Sequence, residues 1–428
     1  MAWERKPPQM KAYPGLEVVP LPDRLDADPL ARLLFLSAGV VRAMSMAGET
    51  MWFRAAGSAG NLAPVEVYVV DAGGVFHYQP VEHGLVRLGD VPAGTPRSLV
   101  LTGVPWRTCW KYRERGFRHL WWDAGTMLAH ILALAPDARV ELGFVDSDVA
   151  ALVGAEPSYE IPLAVVGLDG HSGLPAHAGR AVPAGLLADD PFEFPLGSAA
   201  FDAGVLSDRA EVEAWRAAAA GVGRAVAPLG QGGPPADLED AVRRRGSTRW
   251  FSRAAAVPRD LVDDLAWAAS AVPGDFVGAA RTLLQHHLLV HSVEGVDAGG
   301  YRWGEAGLED IATGDVRAAG RHLCLDQALG GDGSLTVFHG ADLEEVVADL
   351  GDRGYRAANL EAGVVEGRLH LAAYARGLGA TGLTFYDEAV RTFFDTDAWP
   401  LLVTAVGPPG YRSRRGGTPR RPVWMVPR

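Results

Sequence analysis

Cysteine is almost absent from this sequence: Cys109 and Cys324 are the only two in 428 residues. Two isolated cysteines cannot build a disulfide framework, and they lack the spacing that a cysteine-based zinc site needs. The sequence also lacks an apolar run long enough to span a bilayer, and its first residues contain no apolar signal segment. These absences predict a cytoplasmic protein without membrane contact.

Positive charge is in deficit, because 40 basic residues face 52 acidic ones and the formal net charge is −12. This balance excludes a general nucleic-acid binder. Two arginine-rich stretches, 243–249 and 412–421, run against the trend and call for a local explanation. The length allows two or three domains, and 48% hydrophobic residues are ordinary for a globular protein.

The first arginine-rich stretch contains Arg245-Gly-Ser247-Thr-Arg249, which we call the phosphate motif. Two arginines supply forked charged donors, and the serine hydroxyl supplies a neutral one. If the segment opens a helix, free backbone N–H groups would add to an anion site. We therefore interpret the motif as a phosphate site, with a solvated arginine-rich turn as the alternative.

Short segments of the first half recur in the second half. Arg115-Gly-Phe-Arg118 with Asp123-Ala-Gly125 returns, at the same spacing, as Arg353-Gly-Tyr-Arg356 with Glu361-Ala-Gly363. A hairpin with an Asp-Ala-Gly-Gly turn also occurs in both halves. We predict two copies of one α+β domain, as if a homodimer had been fused, with coincidental matches as the alternative. The predicted boundaries are 1–190 for the first domain, 191–236 for a linker region and 237–428 for the second domain.

The coarse pattern of apolar residues adds local expectations. It predicts an irregular arm over residues 1–30, a buried helix over 31–46 and a long helix over 356–377. A glycine-rich turn is expected at 377–382, after that helix. His286, His287 and His291 suggest a metal cluster at first sight, but alternation along a strand separates them, so we predict no metal.

These motifs resemble the nitroreductase superfamily and, within it, the SagB-type azoline dehydrogenases. Four matches carry the resemblance: the phosphate motif Arg245, Ser247 and Arg249 with Phe251; the flavin loop Ser58, Gly60 and Asn61; the Lys111-Tyr112 pair before Gly-Phe-Arg; and the late glycine segment Gly379, Ala380, Thr381 and Gly382. The first half lacks the phosphate motif, whereas the second half lacks the loop and the Lys-Tyr pair. Each half thus keeps what the other has lost.

The resemblance implies two tandem nitroreductase-like domains that form an intramolecular pseudo-dimer, each an antiparallel-rich sheet flanked by helices. It also implies FMN as the cofactor, bound in one composite site per chain. The second half would hold the phosphate and one ring face, and the first half would supply the loop and the catalytic Lys111 and Tyr112. Arg412 and Arg414 of the basic tail would close over the phosphate, unless the tail is merely a solvated terminus.

The resemblance implies an FMN-dependent dehydrogenase that oxidises a thiazoline or oxazoline to an azole in peptide natural-product maturation, with oxygen reoxidising the flavin. Such an oxidation needs a base beside the flavin, and Lys111 or Tyr112 fits this need. A cyclodehydratase is a candidate partner, and the fused pair is compatible with a monomer. Two alternatives stay open: an NAD(P)H-dependent nitroreductase or flavin reductase of small molecules, and a flavin-free binding scaffold.

Overall fold

The computed structural model describes residues 3–46, 48–170, 174, 185, 187, 192–226, 233–253, 255–304 and 307–426. Most of the Gly/Pro-rich stretch 168–190, which the sequence assigns to the end of the first domain, lies outside the described residues. Within the described ranges, no helix combines the length and the apolar character needed to cross a membrane.

The first half forms one seven-stranded sheet with helices packed on it. Its elements are β1 (Val18–Pro20), α1 (Pro29–Ala38), β2 (Val40–Met46), β3 (Glu49–Arg54), β4 (Val65–Asp71), β5 (Gly74–Gln79), β6 (Gly84–Gly89), β7 (Ser98–Gly103), α2 (Pro105–Tyr112), α3 (Gly116–Leu134), β8 (Arg139–Glu141), α4 (Asp146–Val153) and β9 (Ile161–Gly167). The strand order is β1-β6-β5-β4-β7-β9-β8, and all of these pairs are antiparallel.

The predicted linker region contains two helices rather than a plain connection. Its described elements are α5 (Pro195–Ala203), α6 (Arg209–Ala219) and β10 (Arg224–Ala225). Asp208 begins α6, because its side chain accepts a hydrogen bond from the backbone N–H of Glu211. Trp215 of α6 is buried and donates its indole N–H to the carbonyl of Leu350 at 3.0 Å. The linker helices therefore pack on the body of the protein.

The second half repeats the architecture of the first. Its elements are α7 (Leu238–Arg244), α8 (Asp260–Ala268), β11 (Arg281–Thr282), β12 (Gln285–Val290), β13 (Gly299–Gly304), β14 (Gly307–Thr313), α9 (Arg317–Leu323), α10 (Leu329–Asp332), β15 (Leu335–Ala341), α11 (Leu343–Leu350), α12 (Asp352–Ala375), β16 (Gly379–Leu383), α13 (Asp387–Phe394), β17 (Trp399–Gly407) and β18 (Val423–Met425). Its sheet order, β14-β13-β12-β15-β17-β16, matches β6-β5-β4-β7-β9-β8 of the first half strand for strand.

The two halves meet along their long central helices, α3 and α12. A Cβ on Gly125 would lie 2.7 Å from the Cα of Gly363, and a Cβ on Gly363 would lie 3.0 Å from the Cα of Gly125. Only glycine permits this approach. Since the two glycines occupy equivalent positions in the repeat, each half contacts the other through the same residue, as in a two-fold symmetric dimer.

A second reciprocal contact supports the same pseudo-symmetry. Arg115 and Arg118 of the first half pair with Asp387, the first residue of α13. Arg353 and Arg356, their counterparts in the second half, pair with Asp146, the first residue of α4. The exchange of equivalent ion pairs is what a fused homodimer predicts.

Three local expectations from the sequence are wrong. The helix predicted over 31–46 ends at Ala38, and the β-branched residues after Gly39 form β2, which pairs with β3 and with β18 near the C-terminus. The glycine turn predicted at 377–382 is largely a strand, because β16 pairs with β17 from Gly379 onward. The arm over 1–30 is not wholly irregular, because β1 pairs with β6.

Candidate functional site

The phosphate motif lies beside the glycine segment of β16. It does not open a helix; α7 ends immediately before it, at Arg244. The backbone N–H of Thr248 donates to the carbonyl of Ala380 at 2.9 Å, and the hydroxyls of Ser247 and Thr381 are 3.2 Å apart. The two motifs from distant parts of the second half are therefore neighbours, as the resemblance implied.

Arg245, the first arginine of the motif, is buried and connects the two halves. Its Nε donates to the carbonyl of Ala55 at 2.6 Å, and its Nη2 donates to the carbonyls of Arg54 and Ala56 at 3.2 and 3.1 Å. Burial lowers the pKa of its guanidinium. Two of its three nitrogens are thus used to hold the chain just before the loop that contains Ser58.

Arg42 of β2 organises the motif from the first half, a role that the sequence gave no reason to expect. Its Nη1 donates to the carbonyl of Arg245 at 2.8 Å, and its Nη2 donates to the carbonyls of Arg243 at 2.6 Å and Arg414 at 2.8 Å. Burial lowers the pKa of Arg42 to about 10, so the side chain stays charged at neutral pH. One buried cation therefore fixes the backbone of both arginine-rich stretches.

The exposed cations of the site come from the motif and the tail. Arg249 is exposed, and its backbone N–H donates to the hydroxyl of Tyr411 at 3.2 Å. Arg412 and Arg414 are also exposed, and Ser413 between them donates its hydroxyl to the carbonyl of Arg244 at 2.9 Å. These contacts place the start of the tail against the motif, so the three exposed arginines belong to neighbouring segments.

The flavin loop of the resemblance is held by a buried carboxylate on α3. The hydroxyl of Ser58 donates to Oδ2 of Asp123 at 2.7 Å, and the N–H of Ala59 donates to Oδ1 at 2.9 Å. Burial raises the pKa of Asp123 to about 7, although both of these hydrogen bonds act to lower it. Asn61 turns away from Ser58, since its amide donates to the carbonyl of Trp52 at 3.0 Å.

Gly60 brings the loop against Lys111 and Tyr112. Its φ is +63°, and a Cβ there would lie 2.8 Å from the Tyr112 hydroxyl and 2.9 Å from the Lys111 Nζ. Both distances are below ordinary van der Waals contact, so a side chain at position 60 would displace the two polar ends. The loop and the Lys-Tyr pair, which are about 50 residues apart in sequence, therefore form one cluster.

The electrostatic surroundings separate the two candidate bases. Burial, and next the charge of Arg249, lower the pKa of Lys111. Burial, and next the charge of Asp123, raise the pKa of Tyr112 to about 12, while Arg249 opposes this rise. Lys111 therefore loses its proton more easily than Tyr112, and Tyr112 stays a protonated hydrogen-bond donor. Since Arg249 acts on both, the cluster combines residues of the two halves.

This set of residues fits a phosphate joined to a flat polar ring, which is the chemistry of FMN. Arg249, Arg412 and Arg414 offer charged donors, and the exposed Ser247 offers a hydroxyl. Gly60 and Gly382 are exposed and lack side chains where a planar ring would have to approach the backbone. Glu366 is an additional group that the sequence analysis missed, because a Cβ on Gly382 would collide with its carboxylate.

The equivalent position in the pseudo-symmetric arrangement is filled by protein. There β8 corresponds to β16, and the carboxylate of Asp275 accepts from the N–H groups of Leu142 at 2.7 Å and Gly143 at 3.1 Å. Arg216 of α6 pairs with Asp275 and with Glu141, both at 2.9 Å. Side chains of the linker and of the second half thus occupy the surface beside β8, whereas the equivalent surface beside β16 is open.

Comparison with known proteins agrees with this architecture. Residues 242–408 match the model of the nitroreductase family. This match supports a relationship between the chain and the nitroreductase superfamily. A curated relative, a candidate nitroreductase of Methanocaldococcus jannaschii, is 27% identical over 179 residues, which are 40% of this chain and 90% of the relative.

The solved structures extend the similarity over nearly the whole chain. A candidate nitroreductase from Anabaena variabilis is 25% identical, with a TM-score of 0.76, over 96% of this chain and 95% of its own. The predicted fold class is therefore confirmed: the chain has a nitroreductase-like α+β fold of antiparallel sheets flanked by helices. An E. coli microcin synthetase complex aligns with 32% of this chain and 61% of its own, at 21% identity and a TM-score of 0.28.

Proposed function

We propose that this protein is an FMN-dependent dehydrogenase that oxidises a thiazoline- or oxazoline-type ring to an azole in a peptide natural product. The observation that carries the proposal is the convergence of the Lys111 amine and the Tyr112 hydroxyl on Gly60, where the charge of Arg249 also lowers the pKa of Lys111. The sequence resemblance supplies the substrate class. The superfamily likeness supports the oxidoreductase chemistry.

In this proposal the residues have distinct roles. Arg245, Ser247, Arg249, Arg412 and Arg414 hold the phosphate, while the loop from Ser58 to Asn61 and the segment from Gly379 to Gly382 approach the ring. FMN held by these residues would supply the hydride acceptor for the oxidation.

Lys111, in its neutral form, takes the proton from the neighbouring carbon, so that the ring loses two hydrogens in all. Tyr112 orients the substrate by donating a hydrogen bond. The backbone N–H of Gly382 would stabilise developing negative charge, because Gly382 lies on the same outer side of the edge strand β16 as the Ala380 carbonyl that accepts from Thr248.

The filled counterpart of the site supports one FMN per chain rather than two. We further propose the domain boundaries 1–190, 191–236 and 237–428, a monomeric pseudo-dimer, and a cyclodehydratase as the enzyme that supplies the substrate ring. The name of the archaeal relative favours a second candidate, an NAD(P)H-dependent nitroreductase acting on small molecules.

The first test is the visible spectrum of the purified protein, with the released flavin quantified per chain. We expect one FMN per chain and, in air, conversion of a synthetic thiazoline-containing peptide to the thiazole, seen by mass spectrometry as the loss of two hydrogens. Two FMN per chain would contradict the filled counterpart. Oxidation of NADPH with a nitroaromatic, but no thiazole, would favour the nitroreductase. If the protein bound no flavin even after reconstitution with FMN, the alternative of a flavin-free binding scaffold would be favoured.

A further inference from the structure

The pseudo-symmetry lets one half of the molecule serve as a template for the other at the reciprocal arginine–aspartate contacts. Arg115 and Arg118 with Asp387 form what we call the open clamp, and Arg353 and Arg356 with Asp146 form the covered clamp. The two clamps consist of the same residue types at equivalent positions. They differ in what lies across them.

A segment of the linker, Phe201 to Leu206, lies across the covered clamp. Arg353 donates to the carbonyl of Gly204 at 2.8 Å, and Arg356 donates to the carbonyl of Phe201. The Arg356 guanidinium also stacks on the Phe201 ring, with 4.4 Å to its centroid. The clamp therefore recognises an aromatic residue and two backbone carbonyls three residues apart.

The aspartate of the covered clamp binds the same segment through its backbone. Oδ2 of Asp146 accepts from the N–H of Leu206 at 2.9 Å, and the N–H of Asp146 donates to the carbonyl of Leu206 at 3.1 Å. Gly204 lies too close for a side chain, because a Cβ there would be 2.9 Å from the Arg356 Nε. The bound sequence is thus Phe-x-x-Gly-x-Leu, and the clamp contacts it mainly through its backbone carbonyl and N–H groups.

The open clamp lacks such a cover among the described residues. Side-chain exposure is 3 to 4% for the three residues of the covered clamp, but 32% for Arg115, 13% for Arg118 and 29% for Asp387. Phe385, beside the guanidinium of Arg115 at 5.1 Å, occupies the place that Phe144 takes beside Arg353 at 4.7 Å.

The open clamp is also next to the candidate site. His119 follows Arg118 on α3, and its ring lies 4.3 Å from the ring of Tyr112. A chain bound across Arg115 and Arg118 would therefore lie beside the Lys-Tyr cluster. The covered clamp has no comparable neighbour, since the second half lacks the Lys-Tyr pair.

We propose that the open clamp binds a segment of the peptide substrate, in the way that the covered clamp binds Phe201 to Leu206. The occupant presents an aromatic side chain to Arg118, a glycine carbonyl three residues later to Arg115, and a backbone N–H to Asp387. This assignment rests on the proposed function only for the statement that the bound peptide is the substrate. The clamp itself is argued from its covered copy.

The test is a binding measurement that requires no turnover. The probe is a fluorescein-labelled peptide with the sequence of residues 193–208, titrated with the full-length protein and followed by anisotropy. We expect saturable binding, weakened about tenfold or more in R115A/R118A, because two charge-assisted hydrogen bonds are lost. Arg113→Ala, which removes one exposed arginine close to the clamp in sequence, is the control and should bind as the unmodified protein does.

A second comparison changes the peptide and leaves the protein unmodified, so it stays informative even if the double variant misfolds. Replacing the phenylalanine of the peptide at position 201 by alanine should weaken its binding to the unmodified protein several-fold, since the stacking on Arg118 is lost. Absence of saturable binding, or equal binding by R115A/R118A and the unmodified protein, would overturn the clamp. Peptide binding by a protein that holds no flavin would keep the clamp and overturn the proposed function instead.

Discussion

Gly60→Ala tests the central geometric feature of the candidate site. At φ +63° an alanine is strained by about 1–2 kcal/mol. Its Cβ would also enter the space of the Tyr112 hydroxyl and the Lys111 amine, at 2.8 and 2.9 Å. Both are ends of longer side chains, so they can move aside at little cost in stability. A displacement of about 1 Å at the reacting group can nevertheless lower a rate by about a hundredfold.

Gly94→Ala is the matched control. Gly94 has a φ of +80°, and a Cβ added there would have no heavy atom of the described residues within 4 Å, so the substitution adds backbone strain without a contact. Both variants should lose about 1–2 kcal/mol of unfolding free energy in urea titrations. Only Gly60→Ala should lose azoline oxidation, by about a hundredfold. Equal losses of activity in both variants would refute the argument from side-chain contact.

The amine of Lys111 gives a readout that does not depend on the substrate. The sequence contains three lysines, and Lys11 is buried in an ion pair with Glu160, so few amines compete for a labelling reagent. Burial contributes most to the lowered pKa of Lys111. The Lys111 side chain is already exposed, and Gly60→Ala should move its amine further into solvent and raise its pKa toward the ordinary lysine value, which slows acylation at fixed pH. Unchanged acylation of Lys111, measured by peptide mass spectrometry, would contradict the predicted displacement.

Arg249→Ala should raise the FMN dissociation constant about 10- to 100-fold in absorbance titrations, because a charge-assisted bond to phosphate contributes about 1.5–3 kcal/mol. Arg253→Ala is the control. Equal FMN affinities of the Arg249→Ala variant and the unmodified protein would contradict the phosphate assignment. Lys111→Ala should retain FMN but not oxidise azolines. In the unmodified protein the rate of oxidation should rise with pH up to the lowered pKa of Lys111. Normal turnover by the Lys111→Ala variant would remove Lys111 from the mechanism. Burial raises the pKa of Asp123 to about 7, so the unfolded chain releases a proton that the folded protein keeps, and stability falls from about pH 4 to 7. Asp123→Asn should remove up to roughly 4 kcal/mol of this fall in urea titrations, and an unchanged slope would argue against the buried acid.

The sequence predicts the parts of this molecule that short spacing encodes. The repeat of Arg-Gly-aromatic-Arg with acid-Ala-Gly predicts a duplicated domain, and these residues lie at equivalent places on α3 and α12 or just before α3. The contact between Gly125 and Gly363 and the partners Asp146 and Asp387 of the ion pairs were not predicted. The order of the four motifs anticipates the fold class. Their roles in FMN binding stay predictions.

Features that depend on partners far along the chain could not be predicted. Residues 40–46 become a strand because β18, nearly 380 residues later, and β3 pair with them, and no local pattern encodes that choice. Arg42 is important for the same reason: its three carbonyl partners lie 201 to 372 residues away. The strand β16 forms against β17 despite its two glycines, which are disfavoured in strands.

The asymmetry between the halves has one physical origin, which is the placement of the linker. Its helices bring Arg216 to Glu141 and Asp275, and Phe201 to Leu206 to the covered clamp, all on the side where the first half lacks a phosphate motif. A buried aspartate such as Asp146 needs donors once water is excluded, and the linker segment supplies one of them through Leu206. Opening that side would remove Arg216 from Glu141 and Asp275, and the linker backbone from Asp146, Arg353 and Arg356, so the linker stabilises the fold by closing one pseudo-symmetric site. The open site then becomes the one place, within the described chain, where the same residues remain available to a ligand.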